Sequence, residues 1–574
     1  MSARRRMRRQ SGKRRRRAPS PAFQMPDKPA KSDGPERIEL DRSELEAILE
    51  HAKTSALSQA EYDKLHAAME TLIYLTQELE KNRVSIQRLK HLLFGTTTEK
   101  TQKVIEKILG EAEKKKHARD EATEGEEAEK RQKAKGHGRN GADTYTGADK
   151  VSVSHESLKP GDACPNCKKG TVYESVEPGH VVRIRGQSPL GATVYELQKL
   201  RCNLCGQIFT AQTPPDVGPD KYDAESASMI ALLKYGSGLP FNRLERLQGG
   251  LGIPLPAATQ WEIVRDSAGV IEPVFEEMIR QAAQGQVLHN DDTKMKVLAL
   301  TGSSGDQSHL DPTQASERTG VFTSGIVSVL EDHRIGLFFT GHRHAGENLV
   351  AVLKQRASEL GPPIQMCDAL SRNMPDELKT IVGNCLSHGR RYFVDVAMNF
   401  PTECLHVLEI LKEIYKNEAE AKRRGMSDQQ RLQFHQRQSG PKMDGLKIWL
   451  TEQIEQRKVE PNSSLGEAIS YMLKHFNELT LFLRQPGAPL DNNVCERALK
   501  KAILHRKNAY FYKTQNGARV GDLFMSLIHT CELNDINPFD YLTELQKHAS
   551  ELSSCPDRWM PWNYRDTLQK TDAS

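Results

Sequence analysis

"GQVLHNDDTKMKVLAL", residues 285–300, has the residue pattern of a strand and carries two adjacent acids, Asp291 and Asp292, in its middle. Two further runs rich in β-branched and aromatic residues follow, "GVFTSGIVSVL" (320–330) and "RIGLFFTGH" (334–342). Next come the helix-like "AGENLVAVLKQRASEL" (345–360) and "PPIQMCDAL" (362–370), whose strand pattern ends on Asp368. Three strands, a helix and a fourth strand predict an α/β unit with a mixed sheet flanked by helices. Carboxylates carried on strands far apart in sequence can converge at one sheet edge. Held a few ångströms apart they repel and raise each other's pKa unless a cation joins them. Magnesium suits such a pair, because it takes hard oxygen ligands and leaves the rest of its shell to water and phosphate.

Downstream, 376–485 is helical in pattern, as in "LHVLEILKEIYKNEAEAKRR" and "DGLKIWLTEQIEQRK". It leads to "APLDNNVCERALKKAILHRKNAYFYKTQNG" (488–517), where Glu496 is the one acid past Asp491 among Asn, Lys and Arg. With Asp491 as N-cap, Cys495, Ala498, Leu499, Ala502 and Ile503 form a stripe that faces a core, and Glu496 borders it. Asn492, Asn493 and Lys500 are its neighbours on that helix surface, so one face offers a metal ligand beside phosphate-binding groups. Any one of these acids alone is commonly a turn former or a cap. Asp291, Asp368 and Glu496 together point to divalent ions that promote in-line attack on a phosphodiester.

Upstream, the first seventeen residues hold ten basic side chains and no acid, although the net charge of the chain is only +5. Residues 1–40 read as a disordered basic arm that binds polyanions or serves as a solvated or targeting tail. Between 41 and 110, Leu65, Leu72, Leu79, Ile86 and Leu93 recur every seven residues and Asn82 falls at a core position. This is the seam of a coiled coil that pairs protomers, or of an amphipathic helix packed on its own chain. A charged linker spans 111–150. In 151–215, Cys164 and Cys167 in "ACPNCKK" and Cys202 and Cys205 in "LRCNLCGQ" have the spacing of a four-thiolate zinc ribbon, with structural zinc. Residues 216–285 read as helix, Gly/Pro turn and a second helix from near Ala257, either a DNA-reading helix-turn-helix or a packed helical hairpin.

At 574 residues the chain needs more than one core. No apolar run reaches the roughly 20 residues of a membrane helix, and there is no apolar signal segment at the N-terminus. Ten cysteines without such a segment indicate a reducing, cytoplasmic setting.

The motifs "ACPNC", "RCNLCG", "LHNDDTKMKVL", "IQMCDAL", "CLSHGRRYF", "QRQSGPKMDGLKIWL", "PLDNNVCERALKKAILHRKNAYFY" and "SLIHTCELNDINPFDYLTEL", in this order, resemble the insertion-sequence-66 family of bacterial transposases. The resemblance runs from about residue 60 to 550. It implies a DDE transposase with an RNase H-like core over 286–515, a helical insertion over about 376–485 and a C-terminal helical element over 516–574. Asp291, Asp368 and Glu496 correspond to the catalytic triad that holds Mg2+ or Mn2+. The family's usual Asp-Glu-Thr is here Asp291-Asp292-Thr293, and its Gly-Tyr after the second Asp is Ala369-Leu370. Cys385 and His388 resemble the Cys-x-x-His motif of transposases with such insertions. Two ligands do not close a zinc site, so packing or hydrogen bonding is expected there. Asn493, Arg497 and Lys500 would meet phosphate, with His388 and Arg390 near DNA. The implied partners are element-end and target DNA, a second copy of the chain and accessory proteins of the same element. A catalytically inactive DNA-binding derivative is the alternative, and a nuclease without strand joining is a third reading.

Overall fold

The computed structural model describes residues 220–301, 320–375 and 378–572, with shorter stretches between 48 and 66, 150 and 173, and 187 and 218. The chain divides into two units, 1–97 and 98–574. In the first, residues 61–66 are helical and His51 Nδ1 lies 3.0 Å from Glu61 Oε1. Of the heptad residues only Leu65 is among those described, and the basic arm lies outside them.

In the second unit, Cys164 and Cys167 lie on a tight turn closed by Cys164 N–H to Gly170 O (2.7 Å) and Lys168 N–H to Cys164 O (2.9 Å). Backbone N–H groups of Lys169 and Gly170 draw the exposed Cys167 thiol below its usual pKa. Cys202 and Cys205 lie outside the described residues, between the antiparallel strands β1 (Lys199–Arg201) and β2 (Ile208–Thr210).

Helices α1 (Ala224–Ala231), α2 (Phe241–Gly250) and α3 (Ala257–Ala282) follow. The long α3 is buried through Val264, Ile271, Val274 and Met278, and it leads straight into the central sheet.

That sheet has five strands: β3 (Val287–Lys294), β4 (Phe322–Leu330), β5 (His333–Gly341), β6 (Ile364–Cys367) and β7 (Ile381–Asn384). Their order is β5-β4-β3-β6-β7, antiparallel from β5 to β3 and parallel from β3 to β7. Strand β7 falls inside the stretch 376–485, read from sequence as almost wholly helical. At four residues it is too short to show an alternating pattern, and its partner β6 supplies the register.

Helix α4 (Ala345–Leu353) and helix α10 (Asn493–Ala509) cover opposite faces of β3 and β4. Ser324 Oγ accepts a hydrogen bond from Asn348 of α4, while the next residue, Gly325, faces Leu499 of α10. A Cβ on Gly325 would stand 3.0 Å from the Leu499 side chain, so the missing side chain lets α10 lie close against the strand.

Between β7 and α10 the chain forms five longer helices, α5 (Leu386–Val396), α6 (Pro401–Arg423), α7 (Asp428–Gln438), α8 (Gly440–Glu455) and α9 (Ser464–Lys474), followed by short helical turns at Phe476–Leu479 and Leu481–Leu483. They have their own core around Phe393, Leu408, Met443, Leu450 and Met472. Glu418, 9% exposed, is held by Arg431 (2.8 Å) and by the fully buried His435 (3.0 Å), which ties α6 to α7. The insertion leaves and rejoins the sheet at one place: Leu386 N–H donates to Leu490 O (3.0 Å) and Asn492 N–H to Cys385 Sγ (3.2 Å).

Helix α11 (Gln515–Leu533) covers the free edge of β5. The N–H groups of Thr340, Phe338, Gly336 and Arg334 donate to Asp522, Ser526, Thr530 and Asn534 (2.6, 2.9, 3.0 and 3.0 Å). Four helical residues rise about 6 Å and two strand residues about 6.6 Å, so the two periods stay in step and the edge is satisfied. Helices α12 (Pro538–Lys547) and α13 (Tyr564–Asp572) complete the chain.

Candidate active site on the central sheet

Strands β3 and β6 run parallel with His289 opposite Met366. Two residues further on stand Asp291, still in β3, and Asp368, just past the end of β6, so the parallel pairing leads the two acids towards one another. Asn373, fully buried on the turn after β6, donates from its amide to Asp368 Oδ1, and the same nitrogen lies 3.4 Å from Asp291 Oδ1. Asp291 also accepts the N–H of Asp292 (2.8 Å). Burial, and secondly the charge of Asp368, push the Asp291 carboxyl up to about 7.

Asp292 points to the other face. Its side chain is 2% exposed and bound by His344 Nδ1 (2.7 Å) and Arg372 (3.3 Å), so it clasps α4 and the turn after β6 to the strand. Adjacent acids on one strand thus have separate tasks because side chains alternate across a sheet.

Glu496 lies in the first turn of α10, partly exposed. The helix begins at Asn493 and its N-cap position is Asn492, not Asp491 as read from sequence; the Asp491 carboxylate instead accepts the Asn493 N–H (3.2 Å). Asn492 is drawn inward because its side chain joins two bonds across the core, to His289 Nδ1 (3.1 Å) and Asn290 O (3.1 Å). Burial holds His289 down to about 4, so it stays neutral there. Of the expected stripe, Cys495, Ala498, Leu499 and Ala502 are buried and Ile503 is partly so, and Cys495 Sγ donates to Gly325 O (3.3 Å). Because Gly325 is the register partner of Asp291, α10 crosses the strand at that acid.

His388 Nδ1 lies 3.8 Å from Glu496 Oε1. Cys385, His388 and Glu496 present ligand atoms within 4.8 Å of one another, the three-residue cluster of potential metal ligands among the described residues. Burial pushes the Cys385 thiol up to about 12, and the sulfur already accepts the Asn492 N–H. Asn493 is partly exposed, Arg497 and Lys500 are exposed on α10, and Arg390 is buried on α5. Sequence reasoning missed Asn373 and Asn492, two buried asparagines; Asn492 was read as a surface neighbour of Glu496.

Comparison with known proteins places this arrangement. Residues 221–520, just over half the chain, match the family model described as Transposase IS66 family, and the match contains the whole sheet and all three acids. The chain belongs to this transposase family. The match ends within α11, so it takes in the insertion and α10 as well. Among curated proteins of Sinorhizobium fredii, the IS66-family chain is similar to the uncharacterized proteins y4jD (26% identity over 59% of this chain and 65% of that one) and y4hP (25%, 64% and 67%). It is also similar to y4qI (24%, 58% and 61%), so it spans about two thirds of the length of these relatives.

Proposed function

We propose that this IS66-family chain is a DDE transposase: it binds the ends of a mobile element, cleaves them and joins the resulting 3′-hydroxyls to target DNA. The observations that support this reading are Asp291 and Asp368 sharing Asn373 just beyond the paired stretch of β3 and β6, and α10, the helix of Glu496, crossing β4 at Gly325, the register partner of Asp291. A five-stranded sheet in the order β5-β4-β3-β6-β7, three strands antiparallel and three parallel with β3 shared, supports an RNase H-like core. Two carboxylates this close, one of them raised to about 7, fit a hard divalent cation, Mg2+ or Mn2+, with Glu496 as the third ligand. Such a cation would activate the attacking oxygen and neutralise charge on the leaving one.

The chain's own residues do the rest. Asn373 fixes the orientation of both aspartates, and Asn492 and Gly325 set the position of the helix that carries Glu496. Asn493, Arg497 and Lys500 project from that helix to hold the DNA backbone. The turn at Cys164 and Cys167, with strands flanking Cys202 and Cys205, supports a zinc ribbon that binds DNA, and the heptad helix would pair two copies.

The reading is tested by incubating the full chain with DNA carrying the element's ends, with Mg2+ or with a chelator. Joined strands in Mg2+ alone are expected. Binding without cleavage in Mg2+ would mark a catalytically inactive DNA-binding derivative, and cleavage without joining would mark a nuclease.

A further inference from the structure

Helix α10 ends on an unusual turn. Tyr510 has φ +68° and ψ −40°, and Phe511 N–H bonds back to Ala509 O (2.9 Å), which closes a three-residue turn around Tyr510. This region of backbone space suits glycine and strains a bulky residue. The Tyr510 side chain brings no packing in return, since the residue is 68% exposed and Phe511 beside it is 41% exposed.

The turn is rigidly mounted. Tyr512 is buried, stacks on His505 with ring centroids 4.2 Å apart, and pairs with the segment after β3 through its N–H to Lys296 O and Leu298 N–H to its own carbonyl (2.9 Å each). Arg506 binds Thr293 Oγ1 (3.1 Å) and the Lys294 carbonyl. The two paired segments, 293–298 and 506–513, contain Lys294, Lys296, Arg506, Lys507 and Lys513 and no acid. The four lysines are exposed.

An aromatic pair held out by a strained turn, within a field of like-signed cations, has the chemistry that takes up single-stranded nucleic acid: cations follow the phosphates and a ring stacks on a base. Lys294 lies three strand residues beyond Asp291, about 10 Å, which is about three base pairs along a duplex.

We propose that Tyr510, with Phe511, is a stacking site for an unpaired DNA base a few nucleotides from the scissile phosphate, and that the flanking lysines hold its backbone. This rests on the reading of the chain as acting on DNA. The probes are a blunt duplex and the same duplex with a single-stranded thymine extension, each fluorescently labelled, titrated with the full chain at fixed salt.

The wild type is expected to bind the extended DNA more tightly. Tyr510→Gly and Tyr510→Ala should weaken that binding about ten-fold, the scale of one base-aromatic stack, and leave the blunt duplex within two-fold. Tyr510→Phe should stay within two-fold on both DNAs. Tyr510→Gly fits the backbone of the turn, so its melting temperature should equal or exceed that of the wild type, which separates lost stacking from lost folding. Wild-type affinity of Tyr510→Gly for the extended DNA, or an equal loss on both DNAs, overturns the stacking site and leaves the transposase reading standing. A wild-type chain that binds neither DNA removes both.

Discussion

Asp291 and Asp292 are chemically identical neighbours with different surroundings. Asp291 is raised to about 7 by burial and by Asp368, while Asp292 is enclosed by His344 and Arg372. The sequence pointed to these acids as candidates, since a strand-borne pair, an acid at the end of a later strand and a lone Glu among Asn and Lys are visible as text. It did not show Asn373, because an asparagine on a turn looks like any other turn former until the fold sets its amide between two carboxylates. Asn373→Ala should slow DNA cleavage about ten- to a hundred-fold, as expected for a group that orients metal ligands. DNA affinity should stay within two-fold, measured by single-turnover cleavage beside a binding titration.

At the scale of elements, three long strands and the helix after them were legible from pattern, as was the buried stripe of α10. The short strand β7 was not legible, nor was the start of α10, which Asn492 sets by bonding across the core to β3. These features depend on partners distant in sequence, so no local window contains them. The close contact of α10 on β4 at Gly325 gives a sharp prediction. Gly325→Ala adds a carbon 3.0–3.1 Å from the Leu499 side chain and should cost about 1–3 kcal/mol of stability through overpacking. Cleavage should fall further than stability alone explains, because the displaced helix carries Glu496. Leu499→Ala in the same chain should restore part of both, read by thermal denaturation and by cleavage rate; additive losses would show that the two residues do not meet.

Across the whole molecule, one sheet serves two hydrophobic cores, with the helical insertion on its parallel side and α11 sealing its antiparallel edge. That seal contains a buried acid. Burial pushes Asp522 up to about 7, against the bonds it accepts from Thr340, whereas an unfolded aspartate titrates near ~3.9. Between about pH 4 and 7 the folded chain keeps a proton that the unfolded chain has released, so this contribution to stability is full at low pH and is lost as pH rises to 7. Asp522→Asn should remove that slope. Its stability relative to wild type should rise by about 4 kcal/mol from pH 4 to pH 8 in denaturant titrations.

The central claim is that three acids from distant parts of the chain act as one site in the joining of DNA ends. The most direct measurement is strand transfer in Mg2+ by chains carrying Asp291→Ala, Asp368→Ala or Glu496→Ala, each also assayed for binding to the element ends. Every variant should bind the ends like the wild type and yield no joined product. Joined ends made by the Glu496→Ala chain at the wild-type rate would contradict the account.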